Sequence, residues 1–406
     1  VKSILLLLVL WLPLSAAQAL DHLRVIWHDN PQTEAIIAWS SDRKGEGHRV
    51  YIDLFPHMGN LGDYKNSYEA QTDCYKATTD HRHMVRLKQL LPDTTYYFTI
   101  TSNGEISREY HFKTAPSKNT NFRLLFGGDS RTDRSKRQEI HRLVRTQFEQ
   151  NPEIYALVHG GDYIENGMSW KLWKEWLQDW QLTVTNNGRV LPIVPTRGNH
   201  EYLSPLYNDV FVRPGDEIYK NYYRTVIGSL SILTMNTNIS HGGKQKRWLE
   251  KELKNAIFES PWIIANYHRP AWPAVKSAGR AQKHWVPLFE DFQLDLVFES
   301  DGHVLKKTLP IYRGKPDAEK GIIYVGEGGM GVPLRQPKKA GEWYLQSPGY
   351  AVSEYHISSL AVSPDKMTFR VHLLDGTLHD EQTLLPRKRK GLELSLQARP
   401  SGEREN

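Results

Sequence analysis

Among the 406 residues Cys74 is the single cysteine, so no disulfide forms within the chain and its folded parts rest on apolar cores. Past residue 19 no apolar run reaches the roughly 18–20 residues that a membrane-crossing helix needs, so no span is expected there. A strong charge bias is also missing. The net charge of +6 includes Lys2 and a segment after Leu385 where six Lys and Arg face three Glu, which leaves +2 for the rest. That residue of charge gives no reason to expect nucleic acid as a partner, and a basic tail of this kind is ordinarily solvated. Aromatic residues, by contrast, are plentiful, with 12 Trp and 20 Tyr, and core packing is their commonest use.

The first 19 residues have the layout of a secretory signal peptide. Lys2 gives a positive start, Ile4 to Leu14 an apolar run broken by Pro13, and Ala17-Gln18-Ala19 a small-residue cleavage site. This predicts an exported protein, periplasmic or secreted, with no stable membrane anchor once the segment is removed.

The remainder divides in two. Residues 20–116 carry short β-rich runs, such as Ala35-Ile36-Ile37-Ala38-Trp39 and Tyr97-Phe98-Thr99-Ile100, separated by turn signals at Gly59-Asn60, Gly62-Asp63 and Asn103-Gly104. This reads as an all-β sandwich, without a nucleophile or a ligand cluster. From residue 117 to 385 the pattern becomes strand, loop, helix. Apolar strands are expected at Phe122–Phe126, Ile154–Val158, Val190–Pro195, Ser231–Met235, Trp262–Ala265, Leu294–Phe298 and Ile322–Val325. Helical faces are formed by Ile140, Leu143, Val144 and Phe148, by Trp173, Trp176, Leu177 and Trp180, and by Trp248, Leu249, Leu253 and Ile257. Such alternation predicts an α/β domain with its chemistry at the carboxyl ends of the strands. Residues 386–406 read as a flexible basic tail.

Polar, metal-capable residues follow five of those strands in succession: Gly128-Asp129-Ser130-Arg131, Gly161-Asp162, Gly198-Asn199-His200-Glu201, His268-Arg269-Pro270 and Asp301-Gly302-His303. One Asp after a strand is more often a turn or a helix cap than a ligand. Five such groups at one sheet edge point to a metal cage of oxygen and imidazole ligands. Two metal ions sharing a carboxylate suit phosphate-ester hydrolysis, because they neutralise the dianion and lower the pKa of a bound water. His241 and His284 stand alone and read as loop or surface residues. The glycine-rich Gly326–Gly331 lacks the helix and Lys-Ser/Thr of a nucleotide-phosphate loop, and is better suited to letting the backbone approach the site.

The order GD, GDxx, GNHE, HRP and a late acidic-or-His pair resembles the calcineurin-like metallophosphoesterase signature. Leu90-Leu91-Pro92-Asp93-Thr94-Thr95-Tyr96 resembles the tyrosine-corner stretch of fibronectin type III domains, Trp39 their core tryptophan, and Phe112-Lys113-Thr114-Ala115-Pro116 their closing strand. Together these resemble the purple acid phosphatases and their bacterial relatives. The resemblance implies a fibronectin III-like sandwich followed by an α/β metallophosphoesterase domain, a central β-sandwich flanked by helices. It implies that Asp129 binds a first metal, that Asp162 bridges both, and that Asn199 and His268 bind the second. His200 becomes the general acid at the leaving group, oriented by Glu201, and Arg131 holds a phosphate oxygen. The metals expected are Fe, Zn or Mn, and the partner a small phosphate ester.

Two departures from the family pattern stand out. The family ends on GHxH. Aligned on Gly302-His303, the second histidine becomes Leu305; aligned on the following Lys306-Lys307-Thr308-Leu309-Pro310, Asp301 replaces the first histidine and His303 is the second. The latter matches more residues and makes Asp301 a ligand of the second metal and His303 of the first. The tyrosine that colours purple acid phosphatases is replaced by Glu165, read as a loop cap rather than a first-metal ligand, which removes the chromophore. A phosphomonoesterase is the leading expectation. A phosphodiesterase or nucleotidase of the same fold, or a catalytically silent binding protein, stays open.

Overall fold

The computed structural model describes residues 20–118, 120–212, 220–338 and 341–389. The expected signal segment, residues 1–19, lies outside them, as does the end of the expected tail.

Two large sheets face each other. One has seven strands in the order Tyr223–Ile227, Leu230–Thr234, Trp262–Asn266, Leu296–Glu299, Ile323–Gly326, Leu305–Lys307 and Tyr350–Val352. The other has ten, with Phe122–Gly127, Ile154–His159 and Ile193–Pro195 parallel at its centre. Between the sheets lies an apolar layer in which Phe126 stacks on Phe298, ring centroids 3.7 Å apart. Helices Arg134–Gln150 and Trp170–Trp180 cover the outer face of the ten-stranded sheet, burying Ile140, Val144, Phe148, Trp173, Trp176 and Trp180. Helix Gly243–Glu259 covers the other outer face through Leu249 and Leu253. The tryptophans are therefore core, as their helical spacing predicts. Each amphipathic helix starts where its sequence allows: Asp133 accepts the Lys136 N–H and Ser169 the Leu172 N–H, satisfying otherwise orphaned amides.

The β-rich front region is less separate than its sequence suggests. One of its sheets continues the ten-stranded one: Asp21–Ile26 runs parallel to Ile193–Pro195, pairing Ile26 with Ile193, and Trp27 N–H bonds to Ile193 O at 2.9 Å. Ala35–Ser41, His81–Leu87 and Gln71–Cys74 continue outward from it to the edge. A second, five-stranded sheet completes the region, and Trp39 is buried between the two with its Nε1–H on Ser102 Oγ. Tyr96 performs the loop tie expected of it, its hydroxyl accepting the Leu91 N–H at 2.8 Å.

The tail corrects another expectation. Residues 386–389 are not free. Arg387 bonds to the carbonyls of Lys320 and Gly321, and Arg389 is buried, its Nη2 2.6 Å from Asp295 Oδ2. A buried Asp inside the sheet layer attracts the cation that a composition-based reading assigns to solvent.

Candidate metal centre

Every group singled out after a strand arrives at one place, the carboxyl ends of the central strands of both sheets. Asp129, Asp162 and His268 are buried, with ligand atoms within 4.8 Å of one another. His268 Nε2 lies 3.2 Å from Asp162 Oδ1 and 3.5 Å from Asp301 Oδ1. The Asn199 amide is 3.1 Å from His268 Nε2 and 2.9 Å from Asp301 Oδ1. On the other side, His303 Nε2 lies 3.4 Å from Asp129 Oδ1. Asp162 stands between the two groups.

The imidazoles are aimed by their far nitrogens. His268 Nδ1 is 2.9 Å from Gly160 O and His303 Nδ1 is 3.2 Å from Pro333 O, so each Nε2 points at carboxylates. Asp129, Asp162, Asp301 and His303 all have positive φ, between 56° and 73°. Such backbone is uncommon outside glycine, although Asp and His adopt it more readily than most residues, and it clusters at functional sites. Close approach is permitted by glycine: a Cβ on Gly328, itself at φ 84°, would stand 2.1 Å from Asp129 Oδ2.

The donor set fits a pair of cations. Asp129 Oδ1 and Asp162 Oδ2 are buried without a hydrogen-bond partner, which is costly unless a positive ion occupies the space beside them. The histidine already feels that field. Burial alone would lower its pKa, yet the charges of Asp162 and Asp129 raise His268 well above the ordinary value. The same partnership, against burial, holds the Asp162 carboxyl below the ordinary value.

The two possible placements of the last motif differ in three dimensions. Leu305 belongs to a strand paired with Tyr350–Val352 and is buried in the layer between the sheets. Asp301 and His303 are the residues that reach the cage.

Arg131 enters beside it, Nε 3.5 Å from Asp162 Oδ2, and pairs with the Glu165 carboxylate. Glu165 therefore neither caps its loop nor faces the first group of ligands; it holds Arg131. Tyr163 is buried, its ring stacked on His159 at 3.9 Å.

Glu201 requires a correction. Its carboxylate does not orient His200. It is fully buried and accepts the backbone N–H groups of Asp162, Tyr163, Ile164 and Gly198, pinning two ligand-bearing loops together. His200 is held instead through Nδ1, 2.6 Å from Glu165 O, with Nε2 3.8 Å from Asp162 Oδ2. Burial lowers its pKa.

Lys276 carries no motif signal and was not foreseen. Eight residues beyond His268, it places Nζ 2.5 Å from Asp301 Oδ1.

Two facing sheets, outer helices and a carboxylate–imidazole cage across their strand ends define the metal-dependent phosphoesterases. The chain agrees in sequence: residues 122–305 match the family described as calcineurin-like phosphoesterase, and residues 20–114 the purple acid phosphatase N-terminal domain. The chain thus joins a purple acid phosphatase N-terminal domain to a calcineurin-like phosphoesterase domain, a purple acid phosphatase-like arrangement. An uncharacterized Mycobacterium tuberculosis protein is 24% identical over 349 residues, 73% of this chain and 64% of that one. The chain thus spans a little under two thirds of that relative's length. Human acid phosphatase type 7 is 25% identical over 352 residues, 74% of this chain and 73% of its own. A purple acid phosphatase from yellow lupin seeds shares the fold with a TM-score of 0.77 at 19% identity, covering 96% of this chain and 78% of its own.

Proposed function

We propose that the chain is an exported hydrolase of phosphate monoesters working with two metal ions, Fe, Zn or Mn. The observation that carries this reading is the pair of buried carboxylate oxygens without a hydrogen bond, Asp129 Oδ1, 3.4 Å from His303 Nε2, and Asp162 Oδ2, 3.8 Å from His200 Nε2. Asp129, Asp162 and His303 would hold one ion, and Asp162, Asn199, His268 and Asp301 the other. Bound there, the ions supply charge neutralisation and a nucleophilic water at neutral pH.

The protein's own groups do the rest. Arg131, held by Glu165, presents a guanidinium to a phosphate oxygen. His200, whose Nδ1–H donates to Glu165 O, can hydrogen-bond or protonate the departing oxygen from Nε2 when the ring is cationic, a state that acidic pH favours. Glu201 acts at one remove, by fixing the backbone that carries Asp162 and Asn199.

One observation favours a second reading, a binding protein without turnover: the Lys276 ammonium already engages Asp301. Metal content decides between them. The purified chain, supplied with Fe, Zn or Mn, should retain two ions and release phosphate from p-nitrophenyl phosphate faster than it cleaves bis-p-nitrophenyl phosphate. Faster diester cleavage would make it a phosphodiesterase. One ion or none, with no turnover, would leave the silent reading.

A further inference from the structure

A cleft of about 720 Å³ opens from the Asn199–Asp301 side of the cage and is lined by four basic side chains, His241, Arg269, Lys276 and Arg280. Asp301 is its only carboxylate, and Lys276 already holds it. The ion pairs of the cleft, Lys276–Asp301 and His268–Asp301, leave the exposed Arg269 and Arg280 with no carboxylate partner among the described residues. Concentrated like charge without a counter-ion is unfavourable, and it becomes favourable when an anion enters.

The fold assembles this cluster deliberately. Arg269 and Arg280 are eleven positions apart, but the intervening loop closes on itself where Gly279 N–H bonds to Pro270 O at 2.8 Å. A Cβ on Gly279 would lie 3.1 Å from that carbonyl, so the closure relies on a small residue. Opposite stands His241, only 5% exposed and stacked on Trp285 with ring centroids 4.3 Å apart. Trp285 Nε1–H in turn bonds to His241 O at 2.8 Å, which fixes the residue in place. Both His241 ring nitrogens are buried, with the Ile239 backbone as a hydrogen-bonding group beside them, so the ring serves as a fixed wall of the cleft. Burial, with the charges of His284, Arg280 and Arg269, lowers the His241 pKa to about 4, so the ring is neutral and adds no charge to the cleft at neutral pH. Next to it, Asn238 Nδ2 bonds to Gly198 O at 2.7 Å, which ties this wall to the metal-binding loop.

We infer that the cleft receives a second phosphate group of the substrate, beyond the one being cleaved, through Arg280 and Arg269. The inference rests on the phosphohydrolase reading and narrows it to multiply phosphorylated substrates. Two sources share that chemistry, a bisphosphate ester and a phosphoanhydride. In either, water supplies the oxygen of the new P–O bond as the scissile P–O bond breaks. Its proton goes to the leaving oxygen, an alcohol's in the first case and a phosphate's in the second.

Metal-loaded full chain is assayed with fructose 1-phosphate, fructose 6-phosphate, fructose 1,6-bisphosphate and ADP. The bisphosphate or ADP should exceed both monophosphates in kcat/KM by roughly ten-fold or more, mainly through KM, the range expected of charge-assisted bonds. Which of the two leads identifies the source. Arg280→Ala should lower that preference about ten-fold, Arg280→Glu further, and Arg280→Lys should restore part of it. Arg280 is exposed, so these variants should fold. Hydrolysis of the monophosphates with no preference, or a preference that Arg280→Glu leaves intact, overturns the subsite and spares the phosphohydrolase. No hydrolysis of any of the four overturns both.

Discussion

Glu201 Oε2 accepts the Asp162 N–H at 2.9 Å, so the acidic residue of the GNHE segment serves the neighbouring loop's backbone and not the histidine beside it. Four buried amides end on this one carboxylate. Glu201→Ala would leave them without an acceptor, at a cost of about 1–3 kcal/mol for each group that stays unsatisfied. Metal content, turnover and thermal midpoint should therefore fall together. His200→Ala should lower kcat by roughly 10²–10⁴-fold with both ions retained. Metal analysis and thermal denaturation of the two variants separate these roles, and loss of metal from His200→Ala would contradict the assignment.

Asp301 and Leu305 make a second contrast. Asp301→Ala should weaken one metal and lower activity, whereas Asp301→His should retain two. Leu305→His, which completes GHxH in the other alignment, should gain no metal here, because the side chain points into the layer between the sheets. Replacing a buried leucine by a polar ring should cost about 2–5 kcal/mol, seen as a lower denaturation midpoint. A rise in metal affinity for Leu305→His would favour the alternative alignment.

The metal-loaded protein should be colourless. On the family pattern Glu165 stands where the colour-giving tyrosine is expected, and Tyr163 is buried with its ring stacked on His159. An intense visible band after loading with ferric iron, abolished by Tyr163→Phe, would show that a tyrosinate reaches the metal after all.

Arg389→Ala should destabilise the protein by up to about 3 kcal/mol, because it leaves the buried Asp295 carboxylate with only the more distant Arg387, 3.8 Å away, and the Ile263 N–H. Asp295→Asn alone should cost less, and adding it to Arg389→Ala should recover part of the loss. Denaturant titration of the three variants measures the coupling; an additive pair would show that the contact does not form.

What the sequence made legible was local. The strands before Asp129, Asp162, Asn199 and His268 announce themselves by apolar runs ending in polar residues, the first three of them beside a glycine, and the helix faces by their spacing. Glu201 was misjudged because adjacency in sequence suggests adjacency of side chains, while a sharp turn sends its carboxylate the other way. Lys276 and Arg389 were illegible for another reason: their partners, Asp301 and Asp295, lie 25 and 94 residues away and share no motif with them. His241 looked like a surface residue because nothing near it in sequence reveals the Trp285 ring that buries it.

The parallel contact of Ile26 with Ile193 has a consequence for how the molecule comes apart. A domain boundary drawn near residue 116 would cut a hydrogen-bonded ladder and bare the edge of Ile193–Pro195, the strand that leads into Asn199 and His200. The catalytic half expressed alone should therefore be sticky and poor in metal. The whole chain should melt in one calorimetric transition, with no early step in which the front half lets go.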